Sequence, residues 1–223
     1  MAHFIQNHCL RQILVAILAI TTLSSASAWE TDRQLVHAQR WGTSGLENLR
    51  ALQATVRQAS TEKEASRLDN INRFVNLHIH YGDDIDVWGV DNFWASPVDA
   101  IGNGRGNCKE YAFVKYFSLI AAGTPVNQLR LVYVRASIDT TRGRQVAHMI
   151  LAYYPAPDRE PLILDNLISE IKPASQRPDL TPIFSFNTNG LWSGLQGNSS
   201  GDPVLKLSKW RHIIEQAKAE GSF

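Results

Sequence analysis

Cysteine is scarce in this chain. Only Cys9 and Cys108 occur among its 223 residues. Cys9 falls inside an N-terminal stretch that reads as an export leader, so the mature protein is expected to have one thiol and no internal disulfide. In an oxidising compartment such a leftover thiol is either buried filler or a reactive group. A charge excess of either sign is missing too. The 22 basic and 21 acidic residues become 21 against 21 once Arg11 leaves with the leader, and no nucleic-acid footprint remains. No nucleotide loop, flavin fingerprint or haem motif occurs, so no organic cofactor is expected. Internal repeats, heptads and low-complexity linkers are also absent, which makes 29–223 one expected domain.

Long hydrophobic runs are lacking as well. The longest, Ile13 to Leu23, falls short of the roughly 18–20 apolar residues of a membrane-spanning helix. It follows a short polar start with Arg11 and precedes Ala26-Ser27-Ala28, the pattern of a signal peptide (1–28) cleaved after Ala28.

The remaining chain divides into a helical front and a strand-rich rear. Leu46, Leu49, Leu52 and Val56 recur at helical spacing between Gly45 and Ala59. Thr61-Glu62-Lys63-Glu64 has capping-box spacing and opens a second helix to about His78. Residues 81–97 form an acidic, aromatic loop. Ser96-Pro97 starts a short helix, Gly102, Gly104 and Gly106 break it, and a third helix is expected from Cys108 to Ala122. Strand-like segments follow at Leu129–Ala136, Val146–Tyr154 and Leu162–Asp165, joined by turn-rich connections that suit antiparallel hairpins. A polar loop near Ser193 to Asp202 and an amphipathic helix from Leu205 to Ala219 close the chain. Helices followed by an antiparallel sheet make the fold class α+β.

Cys108 lies at the end of Gly102-Asn-Gly-Arg-Gly-Asn-Cys108, where a glycine-rich approach enters a helix. The first turn of a helix offers unpaired N–H groups and the positive dipole end, which favour a thiolate nucleophile and can also hold an oxyanion. His148 and Asp165 follow in the order of a Cys-His-Asp hydrolase. If their strands pair antiparallel, His148 faces Asp165 with the turn centred at 156.5, half of 148 plus 165, inside the Pro155–Pro161 connection. The carboxylate would then fix the imidazole. A one-residue slip would separate them onto opposite faces. Against this stands the bland reading of an inert core cysteine, a satisfied strand histidine and a turn-forming aspartate. His78 and His80 could alternate as metal ligands on a strand, but no acidic or thiol partner at zinc spacing accompanies them. Trp94 is a candidate wall of the substrate cleft.

At these residues the sequence resembles the bacterial transglutaminase-like cysteine proteinases. The resemblance runs from about Leu68 to Trp192. It is carried by Asn92-Phe-Trp-Ala-Ser-Pro97, Gly106-Asn-Cys-Lys-Glu-Tyr-Ala112, Leu131-Val-Tyr-Val-Arg135, His148-Met149 with Leu151-Ala-Tyr-Tyr-Pro155, Leu164-Asp-Asn-Leu167, Arg177-Pro-Asp-Leu180, Phe186 and Gly190-Leu-Trp192. It implies a papain/transglutaminase-like core with Cys108 as nucleophile, His148 as general base and acid, and Asp165 as its orienter. It also implies a periplasmic location and a large surface adhesin as substrate, cut at a pair of alanines near its N-terminus to disperse biofilm. An inner-membrane cyclic di-GMP receptor is the implied partner.

One departure concerns calcium. The family's run around the nucleophile is acidic, Asp-Cys-Glu-Asp-like, and helps bind Ca2+, whereas Asn107 and Lys109 flank Cys108 here. Calcium wants several oxygen ligands, so its binding is expected to be weakened or lost. The Lys109 ammonium would supply part of the positive charge near the thiolate. Asp83, Asp84, Asp86 and Glu110 remain as donors that could still ligate an ion. Two other functions stay open: a transglutaminase-like amidase or acyltransferase on protein or cell-wall peptides, and a non-catalytic binding module with a vestigial site.

Overall fold

The computed structural model describes residues 29–139, 143–195, 197 and 199–223. The expected signal peptide lies outside the described residues. Three helices open the fold: α1 (Thr31–Ala38), α2 (Gly42–Ala59) and α3 (Glu64–His78). Leu49, Leu52 and Val56 of α2 and Leu68, Ile71 and Val75 of α3 are buried, the half-buried stripes their spacing predicts. Helix α1 was not anticipated because polar contacts hold it. Buried Gln34 donates to Ser222 Oγ (3.1 Å) and accepts from Gln53 Nε2 (2.9 Å). The capping box expected at Thr61 does not form. Thr61 Oγ1 instead donates to the Gln58 carbonyl at the end of α2, while Lys63 occupies the cap of α3 without a side-chain bond.

Next come β1 (His80–Tyr81), α4 (Asp84–Trp88), α5 (Pro97–Asn103), β2 (Arg105–Gly106) and α6 (Cys108–Ala121). The segment read as a loop at Asp83–Trp88 thus contains a short helix. Ser96 Oγ accepts from Asp99 N at 3.1 Å with Pro97 in the first turn, as the sequence predicts. Gly104 ends α5 with φ +67°, a conformation that favours glycine. The parallel pair β1–β2 brings Tyr81 beside Gly106. Helix α6 is buried from Lys109 to Leu119 because it runs through the core with neighbours on all sides.

The rear is a six-stranded antiparallel sheet of β3 (Leu129–Asp139), β4 (Arg144–Tyr153), β5 (Leu162–Leu164), β6 (Lys172–Pro173), β7 (Leu180–Phe186) and β8 (Leu191–Ser193), ordered β6-β5-β4-β3-β7-β8. The expected strands are β3 to β5; the other three were missed because they are short or, like β7 with Pro182, carry a residue that weakens a strand reading. Alternation assigns the two faces. Leu131, Met149, Leu151, Leu164 and Phe186 pack towards the helices, while Val132, Val134, Ile150, Ala152 and Ile163 form a second apolar layer. The expected closing helix is two, α7 (Pro203–Lys206) and α8 (Ser208–Glu220), because Asp202 caps the first and the chain extends at Leu207. Trp210 on α8 is fully buried against Phe113, Tyr116, Phe117 and Phe186. The architecture is the α+β arrangement expected, and among the described residues no helix is long and apolar enough to cross a membrane.

Candidate active site

Cys108 is the first residue of α6, partly exposed, with Asn107 as its cap. Asn107 Oδ1 accepts from Lys109 N (3.2 Å), and Glu110 Oε2 accepts from Asn107 N (3.0 Å). The capping-box arrangement missing at Thr61 is therefore found here, around the cysteine. Glu110 is fully buried, and its other oxygen accepts from Ala95 N at 3.1 Å. Burial raises its pKa, against the opposing pull of Lys109 and the two N–H groups. Gly106 lets this carboxylate fold back, since a Cβ there would stand 2.7 Å from Glu110 Cβ. The cysteine N–H, at the first helical position, has no acceptor within the helix.

Strand β4 and the turn after β5 bring in the other two residues. His148 Nε2 lies 2.7 Å from Asp165 Oδ1, and the imidazole lines the same cleft as Cys108. With Nε2 engaged by the carboxylate, Nδ1 is the ring nitrogen left for sulfur. The register differs from the expected one. Leu151 faces Leu164, so the turn centre is 157.5, half of 151 plus 164. His148 and Asp165 consequently meet diagonally, one same-face step apart, rather than straight across. The shift is even in side-chain periodicity, which keeps both on one face.

Burial on its own would lower the His148 pKa, but hydrogen bonds and charges from Asp165 and Cys108 outweigh it and raise the value to about 9. For Asp165 burial pushes the other way and is again outweighed, by His148 and Arg177, leaving its pKa at about 2. An ionised Asp165 next to a protonated His148 is the favoured state at neutral pH.

Arg177 was not singled out for a role from sequence. Its Nη2 donates to Asp165 Oδ2 (2.7 Å) and to Asp179 Oδ2 (2.8 Å), and Nε donates to Asp179 Oδ1 (2.9 Å). Asn76 Nδ2 adds a bond to the Asp165 carbonyl at 2.8 Å. The block Arg177-Pro-Asp-Leu180 was a signal for this, but only folding reveals that it backs the aspartate. Lys115, one helical face further along α6, is buried, and desolvation lowers its pKa to about 7 despite the nearby Asp165 charge.

Cys108 and His148 open into a cleft of about 380 Å³ walled by Tyr81, Trp94, Tyr133 and Met149. Trp94 thus borders the cleft as expected, its ring packed on Phe113. A groove of about 270 Å³ adjoins it, sharing Asn92, Trp94 and Lys209. The two histidines considered for a metal do not alternate on a strand. His78 ends α3, hydrogen-bonded to the Phe74 carbonyl at 2.9 Å and stacked on the Phe74 ring, while His80 lies in β1.

A family model described as bacterial transglutaminase-like cysteine proteinase matches residues 47–197, more than half of the chain. The chain belongs to that family. Solved structures of Legionella pneumophila LapG agree. The calcium-bound form is 35% identical over 84% of this chain and 98% of the LapG chain, with TM-score 0.71. The EGTA-treated form is 36% identical over 84% and 97%, with TM-score 0.72. No curated protein matches significantly. The protein is a cysteine protease with a transglutaminase-like fold.

In this protease the polar atoms beside Cys108 do not fit a calcium ion. Lys109 Nζ occupies the point where Asp84 Oδ1 (3.2 Å), Asp84 Oδ2 (2.9 Å) and Asn107 Oδ1 (2.7 Å) converge. Both Glu110 oxygens are taken by backbone N–H groups. Asp83 Oδ1 accepts from Tyr81 OH. Six to eight oxygens are the usual shell for Ca2+, and an ammonium at their centre excludes it.

Proposed function

We propose that the protein is an exported endopeptidase in which Cys108 attacks a peptide carbonyl, His148 transfers the protons and Asp165 orients and stabilises the imidazolium. The observation that carries this reading is the imidazole bonded to Asp165 and lining one cleft with Cys108 at the start of α6. A cysteine at the start of α6 next to a protonated imidazole is disposed to react as thiolate. The thiolate adds to the carbonyl, and the resulting oxyanion is met by the Cys108 N–H and the positive end of α6. His148 then donates its proton to the leaving amine, giving a thioester and a new N-terminus. With the imidazole now neutral, it deprotonates the water that hydrolyses the thioester.

The substrate in this proposal is an extended segment near the N-terminus of a large surface adhesin, cut at a pair of alanines. Relatedness to LapG supports the class, and the bulky walls formed by Trp94, Tyr133 and Met149 suit small side chains flanking the scissile bond. The leader pattern of residues 1–28 supports a periplasmic location, with 29–223 as one catalytic unit. Release of the adhesin would disperse biofilm, and an inner-membrane cyclic di-GMP receptor would hold the protease back. Digestion of an adhesin N-terminal fragment by the mature protein and by Cys108→Ala tests this. Cleavage at the paired alanines by the wild type alone is expected. A covalent cross-link between substrates in place of a new N-terminus, or cleavage by both proteins, would overturn it.

A further inference from the structure

The Lys109 contacts reach beyond a missing calcium site. We propose that the Lys109 ammonium is a built-in cation that makes this protease independent of divalent metal and positions the nucleophile helix against α4. The cage consists of Asp84, Asn107 and Lys109, each under one-tenth exposed. It is also internally bonded, since Asn107 Nδ2 donates to Asp84 Oδ1 at 2.7 Å. Two segments more than twenty residues apart in sequence are thereby clamped by one point charge with three donors. A lysine tethered to the backbone cannot be stripped by chelator, nor diluted away.

The cage touches the reacting group through one atom. Asn107 Oδ1, which takes the shortest of the ammonium contacts, is also 3.9 Å from Cys108 Sγ. Lys109 therefore fixes the acceptor beside the sulfur while its charge balances the Asp84 carboxylate. Without that charge the carboxylate would stand buried next to the site where a thiolate must form, and two negative groups would compete. Lys109 acts through Asn107 and Asp84, so it is a positioning residue. An incoming calcium ion would have to expel the ammonium and would find one carboxylate and one amide, too few donors for a tight site.

The metal-free clamp stands on the geometry alone, whereas its effect on catalysis rests on Cys108 being the nucleophile. The test compares wild type, Lys109→Met and Lys109→Glu in excess EGTA and in millimolar CaCl2, by thermal unfolding and by calcium titration calorimetry, with adhesin-fragment cleavage followed in parallel. Wild type is expected to melt identically in both buffers, to give no calcium heat, and to retain its cleavage rate in chelator. K109M should melt lower by roughly 6–20 °C in both, the scale for stranding a buried charge in a chain of this size. K109E adds a carboxylate to the cage, so it should melt low in EGTA and recover with calcium. That recovery would not arise if Lys109 were merely packing. Calcium binding or calcium-dependent melting by the wild type would overturn the proposal, as would K109M melting with the wild type. Absent cleavage with the melting pattern intact would count against the protease reading and leave the clamp standing.

Discussion

Replacing Arg177 by Met should weaken the fold and the site together. The Asp165 side chain is fully buried and its carboxylate accepts on Oδ1 from His148 Nε2, Asn166 N and Leu167 N, but on Oδ2 from Arg177 alone among the described contacts. Methionine fills much of the arginine volume and returns neither the charge nor the donors. Removing one partner of a buried ion pair costs about 3–5 kcal/mol. At about 2–4 °C per kcal/mol for a chain of this size, the midpoint should drop by roughly 6–20 °C. The pH dependence carries a sign. Asp165 titrates at about 2 when folded against an ordinary value of 3.8, so its contribution is complete above 3.8 and is lost as pH falls towards 2. Without Arg177 the folded value rises towards 3.8, so the acid-sensitive contribution shrinks and its loss is complete at a higher pH. Unfolding midpoints measured between pH 2 and 8 for wild type, Arg177→Met, Asp165→Asn and the double variant read both effects. The double variant should lose less than the two singles combined, because the uncompensated charge is gone. An Arg177→Met protein within about 1 kcal/mol of wild type, with an unmoved acid limb, would refute the reasoning.

Other perturbations follow from the same contacts. His148 has its pKa raised from 6.5 to about 9, so its stabilising contribution is complete below 6.5 and lost as pH rises through 9. Wild type should shed about 3 kcal/mol across that window, and His148→Gln should not, in chemical denaturation at stepped pH. Lys115, lowered from 10.5 to about 7, carries a burial penalty that is full below 7 and relieved towards 10.5. Lys115→Met should therefore be more stable than wild type at pH 6, by up to about 5 kcal/mol, with the gain shrinking by pH 10. Gly106→Ala should cost about 1–3 kcal/mol through overpacking, because its Cβ would meet Glu110 Cβ at 2.7 Å and Cγ at 2.8 Å. The same change should depress cleavage by loosening the cap around Cys108, a loss visible in kcat.

Much of the frame was readable because the signals were local. The apolar stripes of α2 and α3, the Ser96-Pro97 start of α5 and the alternation of β3 and β4 each reside in one contiguous segment. That His148 and Asp165 would lie on neighbouring strands could be expected from order and element type, yet their register could not, since the length of the turn after Tyr154 does not reveal how it is used. What sequence missed was held by contacts across the chain. Helix α1 depends on Gln34 reaching Gln53 and Ser222, and the strand edges β6 to β8 are too short to show a period. Asn107 was read as replacing an acidic calcium ligand and Glu110 as a donor that could still hold the ion, whereas folding shows them closing the cap of α6. Arg177 needed the β5 turn and the segment before β7 to be brought together before its service to Asp165 could be seen.

The central claim is that Cys108 forms the acyl bond. Acid-quenched mixtures of the protease with an adhesin peptide, analysed by intact mass and then by peptide mapping, test it directly. The account predicts a thioester adduct carrying the N-terminal half of the cleaved peptide on Cys108, absent in Cys108→Ala and also lost in His148→Ala, which lacks the acid that expels the amine. Product formation with the acyl group on another residue, or by Cys108→Ala itself, would contradict it.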